Sequence, residues 1–363
     1  MNATNNLTIF FTISMLCTFS HGQEFAGLQD TIAHELYAVE GKAENGFDFF
    51  ASEELLQMTL CFNIRDFLRT KNELSYYDAI LTVKLNDTDS ISQTIMLRAR
   101  GEMRRTYCSF PPIMLRFTDN EHEAEPIQIN GKLKLVTHCK QIPVYKTYLF
   151  KEYLAYKLYN LVTPYSLKTR LVKINYVDIS GSGKAYAAYG FLLESEDKMA
   201  ERNHAMIINN MNVLQMLGNS IDMARVAVFN YMIGNTDWSV ESAHNIKILT
   251  TPEKLSYKAI PVAYDFDYSG FVNTDYSVPP EGLLIENVRE RYYQGQCFGN
   301  DELKPVMDEF AGLKNQFMST INDFEYLSKG YKKEIQSYIN SFYETFHHQN
   351  YLMYDLSCAS KND

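Results

Sequence analysis

Apolar residues alternate with polar ones, or cluster as β-branched runs, at Asp78–Leu85, Thr94–Arg100, Pro112–Phe117 and Lys132–Val136. Each run predicts a strand with one face toward a core. Over Tyr145–Leu161 the period lengthens, and Leu149, Tyr153, Tyr156 and Asn160 fall along one face of a predicted helix that Thr163-Pro164 ends. Two further strands follow, Arg170–Val177 and Tyr186–Glu194, joined by the hairpin loop Ser180-Gly181-Ser182-Gly183-Lys184. The second half opens on a long apolar helical pattern, Val213–Ile233, with Gly234 as its C-terminal cap. Short strands Asn245–Leu249 and Lys258–Tyr264 bracket a turn at Thr251-Pro252-Glu253-Lys254, and helical patterns fill Glu302–Ile321 and Tyr331–His347. Strands early and helices late predict an α+β chain. Its β-rich part is residues 23–194, carrying one long helix; the mainly helical part is 195–363.

Residues 1–22 read differently. Leu7–Cys17 is an apolar run followed by Thr18-Phe19-Ser20-His21-Gly22, which predicts a secretory signal peptide cleaved before Gln23. The run is shorter than the ~20 residues a membrane helix needs, so no integral membrane segment is expected. An exported protein, secreted or otherwise extracytoplasmic, follows. The mature chain would then hold Cys61, Cys108, Cys139, Cys297 and Cys358, an odd set that permits at most two disulfides, and buried free thiols are the plainer expectation for most. No CxxC pair occurs, and His347-His348 reads as a solvated helix end, so zinc is not expected. A net charge of −10 argues against nucleic acid as a partner.

Candidate chemistry concentrates where the apolar helix ends. Gly234-Asn235-Thr236-Asp237 is followed by His244-Asn245 at the start of one strand, and Tyr264-Asp265-Phe266-Asp267 ends the next. Two strands joined by a tight turn bring Asn245 and Asp265 to the same end of a hairpin. Taken singly, each is an ordinary cap or turn residue. As an ordered set, Asp237, Asn245 and Asp265 suit phosphoryl transfer, in which a carboxylate aligns the acceptor hydroxyl while an Asn and an Asp hold a hard cation on the nucleotide phosphates. His244 reads as a packing residue. No glycine-rich phosphate loop and no GxSxG elbow is present.

This order of residues resembles the C-lobe signature of atypical protein kinases, and most of all the spore-coat CotH-like kinases, secreted bacterial members in particular. Arg98-Ala99-Arg100-Gly101 resembles the family's Arg-Gly strand end, and Lys132–Val136 followed by Leu149–Tyr156 its strand-then-helix element. The resemblance spans roughly residues 75–295. It implies a bilobal kinase-like fold with a β-rich N-lobe and a mainly helical C-lobe. It further implies ATP and Mg²⁺ as cofactors, and transfer of the γ-phosphate to a Ser or Thr hydroxyl of a protein substrate. Asp237 would be the catalytic carboxylate, and Asn245 and Asp265 the metal ligands, with Asp267 a second candidate. Where such chains carry a basic cluster, this one has Tyr107–Pro112 flanked by Arg104, Arg105 and Arg116. Lys134 is then expected to anchor the phosphates with Glu152 as its ion-pair partner, beside Arg100. The alternative is a non-catalytic surface or ligand-binding protein that keeps the polar set.

Overall fold

The computed structural model describes residues 47–117, 127, 131–181, 185–208, 220–251 and 259–347. The signal segment, Cys17 and Cys358, the 182–184 stretch of the hairpin loop, the first third of the apolar helical pattern, the 252–254 turn residues and His348 lie outside them, as does the side chain of His347. The chain forms two compact units, one of residues up to Lys140 with Arg170–Leu192, the other of Gln141–Thr169 with the chain from Leu193 onward.

The first unit is built on strands β1 (Leu56–Phe62), β2 (Tyr77–Lys84), β3 (Ser90–Ala99), β4 (Ile113–Phe117), β5 (Gly131–Val136), β6 (Thr169–Asp178) and β7 (Ala185–Leu193), with short helices α1 (Ile64–Arg69) and α2 (Met103–Tyr107). The alternation that predicts these strands also sets their faces. On β3 the odd positions Gln93, Ile95, Leu97 and Ala99 are buried, and on β2 Ala79, Leu81 and Val83. Each fully buried Leu or Val contributes roughly 1.5–3 kcal/mol.

The strands close into a seven-stranded barrel in the order β1-β2-β3-β4-β5-β7-β6. A bilobal kinase-like fold, implied by the resemblance, is therefore not what the chain adopts; it is a barrel-containing α+β protein. The closing element is β1, which the sequence pattern did not mark out. It pairs antiparallel with β2 and, along its other edge, parallel with β6 from Leu56↔Val172 to Phe62↔Asp178. That second pairing removes both sheet edges at once.

Cysteine chemistry also differs from the free-thiol expectation. Cys108 and Cys139 are disulfide-bonded to each other across a sequence separation of 31, and Cys61 and Cys297 each take part in a disulfide too. Beside the first bridge, His138 stacks on Phe110 with ring centroids 5.0 Å apart. Both its ring nitrogens are buried without a hydrogen-bond partner, and burial pushes its pKa down to about 4. Protonation therefore favours the unfolded chain. The stability tied to neutral His138 is complete above pH ~6.5 and is lost as pH falls toward 4, amounting to at most about 3 kcal/mol. Unfolding titrations at pH 7 and pH 4 should show His138→Phe losing less stability than the wild type over that interval; equal losses would remove His138 as the cause.

The second unit carries α3 (Pro143–Val162), α4 (Glu196–Arg202), α5 (Ile221–Ile233), α6 (Asn300–Asp323) and α7 (Lys329–His347), with a three-stranded sheet ordered β10-β9-β8 from β8 (Met206–Ile207), β9 (Ile246–Thr250) and β10 (Ile260–Ala263). Helix α3 packs on α5 and α6, and α5 backs β10. Ser220 caps α5 by accepting the Met223 N–H at 3.2 Å, and Gly234 ends it in the left-handed conformation, φ 63°. No helix among the described residues is long and apolar enough to cross a membrane.

Candidate functional site

The chemistry-bearing residues of the second unit gather at the end of the β9–β10 pair. Ala263↔Ile246 is the last pair in register, and beyond it the Tyr264 N–H still donates to the Asn245 carbonyl at 3.1 Å. Asn245 and Asp265 thus leave the sheet at the same end, one step apart. Both turn there with positive φ, 52° and 64°, a conformation that Asn and Asp tolerate better than most side chains.

The loop before β9 is fixed by a relay of amides. Asn230 donates to the Val226 carbonyl at 3.0 Å, Asn235 donates to the Asn230 side-chain oxygen at 2.8 Å, and the Asp237 N–H donates to Asn235 Oδ1 at 3.1 Å. Asn230 and Asn235 are fully buried, so these partners are obligatory. A paired exchange of backbone hydrogen bonds between Ser239 and His244, each 2.9 Å, closes the loop. Asp237 is thereby held half-buried. Its Oδ2 accepts Asn245 Nδ2 at 3.0 Å, and its Oδ1 lies 2.8 Å from His244 Nε2. His244 is not a packing residue: its side chain is 56% exposed. Because Asn245 spends its amide nitrogen on Asp237, its oxygen is the atom with metal-ligand chemistry.

A second cluster forms on the other strand. The carboxylates of Glu152, Asp265 and Asp267 bring one oxygen each within 4.8 Å of one another, with Glu152 2% and Asp267 4% exposed. Helix α3 explains why. Glu152, Tyr156 and Tyr159 lie at i, i+4 and i+7 on one face. The Asp265 N–H donates to the Tyr156 hydroxyl at 2.8 Å and the Ala263 N–H to the Tyr159 hydroxyl at 3.2 Å. Between the two aspartates, Phe266 is fully buried against Tyr156, Tyr159 and Phe229, with centroids 4.7–5.8 Å away. The aromatic anchor leaves its two neighbours side by side facing Glu152. Tyr276 donates to Asp267 Oδ2 at 2.9 Å and orients that carboxylate.

Three carboxylates this close repel one another unless a cation or a proton sits among them. An all-oxygen, partly buried donor set suits a hard divalent cation such as Mg²⁺, Mn²⁺ or Ca²⁺. Asp265 and Asp267 are metal candidates expected from the sequence; Glu152, expected there as the ion-pair partner of Lys134, stands with them in this cluster. Lys134 and Arg100 belong to the first unit. Lys134 is on β5 between the buried Leu133 and Leu135, and Arg100 follows β3, its N–H donating to the Pro112 carbonyl at 2.8 Å. No protein-family model and no curated protein matches the chain.

Proposed function

We propose that this chain is an exported, divalent-cation-dependent phosphotransferase that uses ATP and transfers the γ-phosphate to a Ser or Thr hydroxyl of a protein. The observation that carries the reading is the Glu152–Asp265–Asp267 cluster beside a separately held Asp237. The first is a cation-binding donor set and the second a carboxylate able to receive a hydroxyl hydrogen bond. Fold plays no part in it, since a site and not an architecture performs the chemistry.

Asp265, with Asp267 and Glu152, would hold Mg²⁺, the Asn245 oxygen being the further ligand that the resemblance implies. When bound, the cation offsets charge on the phosphates. Asp237 aligns the acceptor hydroxyl and takes its proton; Asn245 and His244 fix the direction of that carboxylate. Disulfides at Cys108–Cys139, Cys61 and Cys297 support an oxidising compartment and hence export. Thermal unfolding with ATP, with Mg²⁺ and with both tests the reading. A rise in Tm larger than any that ATP gives in EDTA is expected where nucleotide and cation are present together, and a smaller rise with cation alone. A response to Mg²⁺ with none to nucleotide would instead favour a non-catalytic cation-binding protein.

A further inference from the structure

Three adjacent strands of the barrel carry their cations on the outward face. Register aligns Met96 with Arg116 and Arg116 with Lys132; one step along the pleat it aligns Arg98 with Met114 and Met114 with Lys134. The intervening Leu97, Leu115, Leu133 and Leu135 point into the core, so Arg98, Arg116, Lys132 and Lys134 share the other side. Asp78, opposite Met96, is the carboxylate that the register adds to this patch. In a chain of net charge −10, four basic residues in a checkerboard with two methionines reverse the local sign.

Within the patch, Tyr76 lies under two guanidinium groups, with Arg98 Cζ 5.3 Å and Arg116 Cζ 5.5 Å from its ring centroid. The Tyr76 hydroxyl and Arg98 Nε are buried and have no hydrogen-bond partner. Buried donors are ordinarily satisfied, and leaving one unmet costs about 1–3 kcal/mol. Donors held beside a second, exposed arginine match the forked recognition of an oxyanion.

We propose that this face binds phosphate-type oxyanions, received between Arg98 and Arg116 with the Tyr76 hydroxyl donating, while Lys132 and Lys134 extend the site for a chain of phosphates. The site belongs to the first unit and uses no metal, so it stands apart from the phosphotransferase reading.

Calorimetric titration of the full chain in EDTA at low ionic strength, with inorganic tripolyphosphate and separately with ATP, tests it. Binding of both is expected, weakened about tenfold by Arg116→Gln and by Arg98→Gln, and less by Tyr76→Phe. Asp265→Asn should leave this metal-free binding unchanged. Equal affinity for the two ligands would show that the phosphate chain alone is read; tighter ATP with the same arginine dependence would make the nucleotide its natural source. Arg116 is exposed, so its variant folds even where that of Arg98 does not. Absence of binding, or binding indifferent to the arginine substitutions, overturns the proposal.

Discussion

Asp265→Asn is expected to weaken Mg·ATP binding by at least about 100-fold in calorimetry, with the folded structure retained. Asn preserves the shape of the side chain and tolerates the positive φ of 64° at this position, so the backbone has no reason to move. What disappears is one of three charges that share the cluster, and cation affinity depends on ligand charge. In EDTA the same substitution should leave Tm unchanged or raise it, because it removes mutual repulsion between Asp265, Glu152 and Asp267.

Asp237→Asn should behave in the opposite way. Mg·ATP affinity is expected to stay within about threefold of wild type, while the transfer rate falls by roughly 10²–10⁴, the usual contribution of a positioned base. The two variants together separate cation binding from acceptor alignment. If both lose nucleotide affinity equally, Asp237 belongs to the cation site; if neither changes binding or rate, the phosphotransferase reading fails.

Much of the secondary structure was legible because its signals are local. The alternation at Thr94–Arg100 overlaps β3 (Ser90–Ala99) and overruns its end by one residue, and the three-four spacing after Tyr145 recovers α3, whose bounds are Pro143–Val162. Barrel closure was not legible. Leu56–Phe62 has the burial of a strand, but its partners are β2 and the distant β6, and no local pattern announces a parallel pairing between Leu56 and Val172. At the candidate site, the order of residues along the chain singles out Asp237, Asn245, Asp265 and Asp267 as candidates. The placement of Glu152 was not legible, because it depends on the Tyr156 hydroxyl receiving the Asp265 N–H across a sequence separation of 109. His244 was misread for a similar reason: its partner Asp237 is reached only once the Ser239–His244 exchange closes the loop.

The same two loops depend on a pair of glycines, and Gly234→Ala is expected to destabilise the protein by roughly 2–5 kcal/mol. Gly270 donates its N–H to the Gly234 carbonyl at 2.9 Å, and Phe271 donates to Ile233 at 2.9 Å, so the Asp237 loop and the Asp265–Asp267 segment are tied directly behind the carboxylates. A Cβ on either glycine would overlap the Tyr338 hydroxyl from α7. At Gly234 the φ of 63° adds left-handed strain of about 1–2 kcal/mol to an overpacking cost of about 1–3 kcal/mol. Tyr338 is held between Arg289 and Arg291, whose guanidinium carbons lie 4.3 and 4.0 Å from its ring centroid, so it cannot swing aside cheaply. Its hydroxyl is buried without a hydrogen-bond partner, and burial raises its pKa. Tyr338→Phe should consequently be neutral or slightly stabilising on its own, since it deletes an unsatisfied group and keeps the ring. Combined with Gly234→Ala it should recover the overlap part of the loss but not the part due to φ, giving a coupling of about 1–3 kcal/mol in a double-mutant cycle. Strict additivity in urea titrations would show that Tyr338 does not set the spacing between the two loops.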